Sequence, residues 1–423
     1  MKRRSINKNM GVAFTILFLC VFCTSAVTEI IDEPGSHTIT FDANGGTMES
    51  RTMESQTMAE GSSADLMANP YIRSGYSFTG WAISENAASA VYADQSSYTM
   101  GTADVKLYAV WIWNAPTLSE LQKGGYITMI DVHGVMDGSY KQATSTTTGF
   151  VHNISAFSLG KFEVTYELWY TVYRWALSNG YAFANAGFEG KGATPGTVPT
   201  IAAMHEPVTT VNWRDCIVWC NAYSEMAGKI PVYYSDSAYL FPIRSSVDYS
   251  YGSSVNTKSG SADNPYINMS SKGYRLPTEG EWMYAASCKS VYPYDYASGA
   301  DAPYDATSGI VDIDGDGDVQ YSGDVAWYTS NSSVTTRTVG TKAANVWGFC
   351  DLSGNVCEWC QDWFGTLPTA AQANYKGASS GLYRILRGGS WLYLSRYLQV
   401  GSRNYYDPYY GGSYFGFRVC CGR

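Results

Sequence analysis

Charged side chains are scarce in this chain, and basic ones are scarcer than acidic ones. Asp, Glu, Lys and Arg together make up 15% of its 423 residues, and the net charge is −9. Beyond the first ten residues no cluster of Lys and Arg occurs, so the basic face that nucleic acid binding requires is missing. Hydrophobic residues reach 45% and aromatic ones 15%. This composition excludes a disordered chain and predicts a packed protein of two or three domains.

Histidine is scarcer still, which limits the metal sites that can be built. The four histidines are scattered along the chain: His37, His133, His152 and His205. Cys357-x-x-Cys360 is spaced like half a zinc site. No second pair of this kind accompanies it, so a closed four-ligand zinc site is not expected. Eight cysteines lie beyond residue 26: Cys216, Cys220, Cys288, Cys350, Cys357, Cys360, Cys420 and Cys421. We expect them to be buried thiols or disulfide partners.

Long apolar runs are absent except at the N-terminus. Four basic residues within the first eight precede an apolar stretch at residues 11–23, which is too short to anchor a mature protein in a bilayer. Small residues follow, so residues 1–26 are predicted to be a signal peptide and the protein to be exported. The alternative is a lipoprotein with lipid on Cys20 or Cys23. In both cases we expect the protein at the cell surface or outside the cell, and only the lipoprotein alternative attaches it to a membrane, through the lipid.

Residues 38–113 are predicted to form a separate unit of strands. Residues 38–41 alternate between polar and apolar side chains and run into the turn sequence DANGG. Residues 75–81 and 105–111 alternate in the same way. The FDANGG, GYSFTGW and LYAVW strings resemble the Listeria–Bacteroides repeat. This resemblance implies a small β-grasp-like module that serves as a spacer or adhesion unit.

Three helices are predicted farther along, among more numerous short strands. Their N-caps are expected at Thr165, Asn212 and Thr278 because each is a residue type that accepts hydrogen bonds from the first turn. The first two helices are expected to stop at Gly180 and before Gly228, since glycine adopts the left-handed conformation at low cost.

Seven short motifs follow one another from residue 126 onward. In chain order they are LGKFEVT at 159–165, PV…VNW at 207–213, CNA at 220–222, YRLPTEGEW at 274–282, LSGNVCEW at 352–359, LRGGSW at 386–391 and GFR at 416–418. Their order and spacing resemble the formylglycine-generating-enzyme (sulfatase-modifying-factor) family across residues 126–423. The resemblance implies an α+β fold, an elaborated C-type lectin fold, with the β-grasp-like repeat domain on its N-terminal side.

The catalytic cysteines of that family are replaced in this chain. The resemblance implies a reaction at two thiolates, five residues apart just after the GGS motif, which bind copper(I) through soft sulfur. The matching positions hold Tyr393 and Leu398, and neither supplies a thiolate. Cys420 and Cys421 match no catalytic position. We therefore expect no copper and no enzymatic activity. The alternative is an oxidase of the formylglycine-generating type with a non-standard metal site.

Aromatic residues crowd the segment 388–418. Its aromatic members are Trp391, Tyr393, Tyr397, Tyr405, Tyr406, Tyr409, Tyr410, Tyr414, Phe415 and Phe417. They follow neither a helical nor a strand period and are interspersed with the turn dipeptides DP and GG. Aromatic residues more often pack in a core. Tyrosines in turn-rich sequence instead favour a binding surface, because each offers a large contact area, a polar tip and few rotatable bonds.

This segment resembles the variable region of the treponemal variable proteins of diversity-generating retroelements. The resemblance implies that asparagine codons are copied with adenine-directed errors, which yields Tyr, Leu, Asp, Ser, Gly and Phe. Twelve positions fit that set and are predicted to contact ligand: Leu392, Tyr393, Leu394, Tyr397, Tyr405, Tyr406, Asp407, Tyr409, Tyr410, Ser413, Tyr414 and Phe415. Leu398 was grouped with them by composition. Trp391, residues 399–401 and residues 417–418 are expected to be fixed scaffold.

Two calcium sites are predicted. The family resemblance implies the first, with carboxylates from Asp351 and Glu358 and backbone oxygens from Gly354 and Val356. Hard oxygen ligands of this mix suit calcium. The simpler interpretation is that both acidic residues only cap turns.

The second calcium site is predicted from alternating carboxylates followed by glycine, as at the start of an EF-hand or dockerin loop. Its acidic residues are Asp312, Asp314, Asp316 and Asp318. The twelfth position is Gly323, so the bidentate Glu of a full loop is absent, and Asp324 is the nearest substitute. The competing interpretation is a solvated acidic turn.

These features together predict a non-catalytic, exported protein that binds a ligand through a diversified C-terminal surface. The expected ligand is a protein or glycan on a host or neighbouring cell, and nucleic acid is not expected. A further alternative is a structural surface protein in which the repeat domain makes the contacts.

Overall fold

The computed structural model describes residues 35–48, 53–73, 75–85, 87, 89–114, 116–123, 125–144, 147–192, 194–248, 250–251, 254–303, 312–315 and 319–423. The predicted signal peptide and the lipidation alternatives lie outside these ranges. The chain divides into two compact units, residues 1–73 with 78–112 and residues 74–77 with 113–423. Within the described part of the chain, every helix is too short or too polar to cross a membrane.

The first unit consists of strands. They are β1 Ser36–Asp42, β2 Gln56–Ala59, β3 Ser63–Asp65, β4 Tyr76–Ala82, β5 Ser97–Thr99 and β6 Val105–Trp113. A four-stranded sheet has the order β2-β1-β6-β4, with β1 parallel to β6, while β3 and β5 form a separate pair. Side chains that alternate along β1 and β6, among them Ile39, Phe41 and Leu107, pack around the buried Trp81. The period-two pattern therefore correctly predicted the main strands of this unit.

The DANGG sequence forms the turn after β1. Asn44 and Gly45 adopt φ values of 45° and 85°, which favour glycine and asparagine over other residues. A side chain at Gly46 would begin 2.7 Å from the Trp111 ring, so this position requires glycine. The Asn44 amide donates to the Ala109 carbonyl at 2.9 Å, which ties the turn to β6.

The second unit contains five helices among its described residues. They are α1 Leu118–Lys123, α2 Tyr166–Ser178, α3 Trp213–Met226, α4 Glu279–Ala286 and α5 Ser322–Val325. The three predicted helices are α2, α3 and α4, and their N-caps are Thr165, Asn212 and Thr278 as expected. Helices α2 and α3 pack through Trp169 and Trp219, whose rings stack with centroids 5.8 Å apart.

Short strands complete the second unit. They are β7 Met129–Val132, β8 Lys141–Thr144, β9 Thr147–Asn153, β10 Phe157–Gly160, β11 Phe188–Glu189, β12 Val208–Thr209, β13 Tyr233–Tyr234, β14 Tyr266–Ile267, β15 Tyr274–Arg275, β16 Cys357–Trp363, β17 Gln372–Ala373, β18 Arg384–Arg387, β19 Asn404–Tyr406, β20 Phe415–Gly416 and β21 Cys420–Gly422. The described residues of this unit form two four-stranded sheets, β15-β21-β10-β7 and β19-β18-β16-β20, and several smaller sheets. This mixture of helices and short sheets confirms the α+β prediction.

Cysteine thiols are part of the packed interior. All eight cysteines beyond residue 26 are free, and seven of them are buried. Cys216 and Cys220 lie on the buried face of α3, within the same core as Trp213 and Phe417. Of the two expectations for the cysteines, the structure therefore shows buried thiols and, among the described residues, no disulfide.

Candidate functional site

The segment 388–418 begins where β18 ends, at a turn of two glycines. Gly388 and Gly389 have φ values of 92° and 73°. A side chain at Gly389 would begin 2.7 Å from the Tyr397 carbonyl oxygen. Glycine is therefore required here both by the backbone conformation and by the close approach of the 3-10 turn Ser395–Tyr397.

Buried residues hold the two ends of the segment together. Trp391 is 3% exposed, and its indole N–H donates to the Ser413 carbonyl at 3.1 Å. Ser332 donates its hydroxyl hydrogen to the Trp391 carbonyl at 2.8 Å. The Arg387 guanidinium donates to the Val400 carbonyl at 3.1 Å. The residues expected to be scaffold are thus within the packed interior, and they shape the segment from beneath.

Most of the predicted contact side chains reach the surface. The most exposed are Leu392, Leu394, Tyr397, Tyr405 and Tyr410, which are between 39% and 48% exposed. Partly exposed members are Tyr393, Tyr406, Asp407, Tyr409, Ser413 and Tyr414. Eleven of the twelve positions are therefore open to a partner as the chain is folded.

Phe415 is the exception, and its assignment to the contact residues is wrong. The side chain is 0% exposed and belongs to β20, where it packs on Trp359 with ring centroids 5.3 Å apart. Leu398, which was grouped with the contact residues by composition, is also 0% exposed and packs with Val325. Composition cannot separate these residues from their exposed neighbours, because burial depends on contacts distant in sequence.

Five tyrosines around the buried Phe415 form a continuous group, which we call the tyrosine cluster. Its members are Tyr393, Tyr397, Tyr406, Tyr410 and Tyr414. The Tyr406 and Tyr410 rings stack with centroids 4.4 Å apart, and the centroid of the Tyr414 ring lies 4.6 Å from that of Phe415. Such packing limits the motion of each ring, so little side-chain entropy remains to be lost when a ligand binds.

Tyr405 lies apart from the tyrosine cluster. Neighbouring residues of a strand point to opposite sides, and Tyr405 therefore faces away from Tyr406 on β19. Its ring contacts Phe364 and Tyr383, with centroids 4.0 and 5.0 Å away. The 58% exposed Leu382 is adjacent in sequence to Tyr383. This second aromatic group was missed by sequence reasoning, since its other members lie outside the segment 388–418.

The positions that match the family's catalytic cysteines hold the side chains of Tyr393 and Leu398. Tyr393 and Cys357 line a cavity of only about 10 Å³, and Tyr397 of the tyrosine cluster lines it as well. The Tyr393 hydroxyl accepts from the Asn404 side-chain amide at 3.2 Å. Burial raises the pKa of the Cys357 thiol well above its usual range, so this thiol is protonated at ordinary pH. Neither space nor thiolates for the family's copper chemistry are present at these positions.

The first predicted calcium site contains a buried ion pair. Arg418 donates to both oxygens of Glu358 at 2.5 and 2.6 Å, and the Trp282 indole donates to the same carboxylate at 2.8 Å. Asp351 accepts from the Gly340 backbone at 2.7 Å through one oxygen. Its other oxygen is buried without a hydrogen bond, and an orphaned carboxylate oxygen of this kind is suited to a cation.

A third carboxylate, Glu163, adds to the negative charge of this site and was missed in the sequence. Its oxygens accept from the Val356 backbone at 3.0 Å and from the Asn355 amide at 2.7 Å. Burial, together with the nearby Asp351 and Glu358 carboxylates, raises the pKa of Glu163. Gly354 lies in the same loop with φ 88°. Three acids near one arginine leave an excess of negative charge at this site, although Glu358 is already largely engaged. Calcium here stays a prediction.

The second predicted calcium site is arranged differently from the sequence pattern. Oxygens of Asp301, Asp312 and Asp314 lie within 4.8 Å of one another, and Asp301 stands outside the alternating acidic run. Its two oxygens accept from the Ile313 and Gln320 backbones at 3.0 and 2.8 Å, which ties both residues to this carboxylate. Asp316 and Asp318 lie outside the described residues. Calcium at this loop also stays a prediction.

Comparison with known proteins decides the family. The protein-family model described as "Sulfatase-modifying factor enzyme 1-like domain" matches residues 123–422. The chain belongs to this family. The Listeria-Bacteroides repeat domain matches residues 37–110. Both resemblances inferred from the motifs are confirmed, as is the formylglycine-generating-enzyme fold with an N-terminal repeat domain.

Individual members of the family differ in activity. The solved structure of Treponema denticola variable protein 1 resembles this chain with a TM-score of 0.53 and a sequence identity of 29%. The aligned region covers 70% of this chain and 95% of that protein. The "Chaperone protein LppX" of Paenibacillus barcinonensis is 28% identical over 277 residues, which span 65% of this chain and 84% of that protein. The formylglycine-generating enzyme of Thermomonospora curvata is 29% identical over 160 residues, which span 34% of this chain and 48% of that enzyme. Membership alone therefore does not decide between catalysis and binding, and the site must.

Proposed function

We propose that this chain is an exported, non-catalytic protein that binds a protein or glycan through the exposed side chains of residues 388–418. The observation that carries the proposal is the occupation of the family's catalytic positions by Tyr393, which belongs to the tyrosine cluster, and by the buried Leu398. Side chains that pack against neighbouring residues take the place of the family's catalytic thiols. The exposed residues nearby are of types suited to contact a ligand.

The arrangement of the segment suits variable contacts. Fixed anchors such as Trp391 and Phe417 are buried, whereas the eleven contact side chains are exposed in full or in part. Exposed substitutions of this kind usually change the free energy of unfolding by less than about 0.5 kcal/mol. A surface of this design tolerates sequence change while keeping its shape, which supports diversification of these positions.

Binding is tested by probing glycan and protein arrays with the full chain. Tyr397→Ser with Tyr410→Ser removes two exposed members of the tyrosine cluster. Tyr239→Ser with Tyr251→Ser is the matched control, because these tyrosines are exposed to a similar extent, 42% each. We expect the first pair to abolish the array signal and the control pair to retain it. Equal signals from both double variants, or no signal from the unaltered chain, would contradict the proposal.

Diversification is tested by sequencing the gene and its surroundings in several isolates. We expect codon differences to concentrate at the eleven exposed positions, beside a near-copy of the 3′ end with adenines at those codons and a reverse transcriptase gene. Substitutions spread evenly over residues 388–418, including Phe415 and Leu398, would argue for an ordinary surface protein.

The oxidase alternative has a direct test as well. Purified chain supplied with copper or iron and a cysteine-containing peptide is expected to consume no oxygen, because no thiolate pair lies at the family's catalytic positions. Metal-dependent oxygen uptake that persists in a Cys357→Ser variant would reveal another redox centre and overturn the non-catalytic assignment.

A further inference from the structure

A second cavity of the larger unit is lined by cations although the chain as a whole is acidic. Its volume is about 410 Å³. Four segments form its walls: residues 152–156, 269–281, 374–376 and 422–423. None of its lining residues belongs to the segment 388–418. It is therefore a feature separate from the proposed contact surface.

One wall of this cavity is rigid because its polar groups bind one another. Arg275 donates to both oxygens of Glu281 at 2.7 Å, and Glu281 also closes the capping box of α4 by accepting from the Thr278 backbone at 2.8 Å. Both charged side chains are at most 10% exposed. Bidentate pairs of this kind fix geometry, so this wall is formed before any ligand arrives.

A histidine and an asparagine hold the opposite wall. One ring nitrogen of His152 lies 2.7 Å from the Gln142 side-chain oxygen, and the other accepts from the Tyr375 backbone at 2.9 Å. Burial lowers the pKa of His152 to about 4, so the ring is neutral at ordinary pH. Asn374 bonds to the backbone and hydroxyl of Ser155 at 2.8 and 3.0 Å. This wall therefore limits the shape of the cavity and contributes no charged group to it.

The charge balance leaves two ammonium groups uncompensated. Arg275 is neutralised by Glu281, and Arg423 pairs with Asp131 at 3.1 Å. The other lining cations are Lys272 and Lys376, both exposed. Among the residues that the structure describes, no carboxylate lies within 4.0 Å of either ammonium. Two unpaired positive charges at a preformed cavity attract a ligand of opposite charge.

We propose that this cavity binds a small organic anion with at least two negative groups, such as carboxylates or sulfate esters. Lys272 and Lys376 bind the anionic groups. Ile154, Ala156 and Met269, which also line the cavity, contact the carbon framework between them. A volume of about 410 Å³ suits a ligand of small-molecule size.

Calorimetry of the full chain at low ionic strength tests this site with citrate as the probe. Lys272→Gln with Lys376→Gln is expected to weaken citrate binding at least about tenfold, since each ammonium supplies a charge-assisted contact. Lys258→Gln with Lys289→Gln removes the same charge from two other exposed lysines and is expected to leave the Kd within about twofold. Equal weakening by both pairs, or no heat of citrate binding to the unaltered chain, would overturn the site.

Two further measurements separate this site from simpler explanations. Inorganic sulfate is expected to bind more weakly than citrate, because it has no carbon framework to contact Ile154, Ala156 and Met269. Sulfate binding as tight as that of citrate would contradict a site for an organic framework. Tyr397→Ser with Tyr410→Ser is expected to bind citrate normally, so failure at this cavity and failure at the tyrosine cluster are distinguished. Loss of citrate binding in that variant would contradict a separate site.

Discussion

Phe415 lies within a run of tyrosines but has a different environment from its neighbours. The side chain is fully buried between β16 and the tyrosine cluster, whereas Tyr410 is 39% exposed. Phe415→Ala is therefore expected to lower the free energy of unfolding by about 3–5 kcal/mol, as for other large core residues. Tyr410→Ala is expected to lower it by less than about 1 kcal/mol. Urea unfolding measures both, and equal costs would place Phe415 at the surface.

His152 is expected to make stability depend on pH. Its pKa is lowered from 6.5 to about 4 by burial, against the opposing effect of Glu281 and Glu279. Between these values the unfolded chain binds a proton that the folded chain does not, so this contribution is present above pH 6.5 and is lost as pH falls toward 4. It amounts to about 3 kcal/mol. His152→Asn should reduce the slope of unfolding free energy against pH in this window. An unchanged slope would contradict the buried neutral ring.

At the scale of elements, the N-terminus of α3 is joined to the contact segment. The Asn212 side chain accepts from the Asp215 backbone at 2.8 Å and donates to the Tyr409 carbonyl at 3.3 Å. Asn212→Ala is expected to lower the free energy of unfolding by about 1–2 kcal/mol through loss of the cap. Asn212→Ser keeps an acceptor and should recover most of that loss. Chemical denaturation decides, and identical values for both variants would rule out a capping role.

Elements with local signals were predictable from the sequence, whereas their long-range pairing was not. The caps Thr165, Asn212 and Thr278 act on residues within their own first turn, so the printed sequence contains the whole signal. Tyr405 and Tyr406 point to opposite sides of the sheet because β19 pairs with β18. The approach of Asp301 to Asp312 depends on the bonds that Asp301 accepts from the Ile313 and Gln320 backbones. Neither contact leaves a pattern along the chain.

The candidate site was predictable to the same extent. The loss of both thiols and the abundance of tyrosine are properties of composition and motif position, and they point to the segment 388–418 as the candidate contact surface. Burial of Phe415 and Leu398 is decided by β16 and by residues near Val325. Sequence spacing within 388–418 therefore could not reveal which members face inward.

For the molecule as a whole, calcium is expected to stabilise the fold at two places. Calorimetric titration with calcium should detect binding that is reduced by Asp351→Asn and, separately, by Asp312→Asn with Asp314→Asn, because each change removes carboxylate ligands. Chelation should lower the melting temperature, since a ligand that binds only the folded chain stabilises it by mass action. Unchanged binding in either variant would remove that site from the account.

The bond from the Trp391 indole to the Ser413 carbonyl has a consequence for inheritance. Donor and acceptor both lie inside the segment 388–418, so a copied or recombined stretch of gene would carry its own closure. Relatives that keep the buried partners of the segment, such as Trp359 and Val325, can then exchange this stretch as one piece.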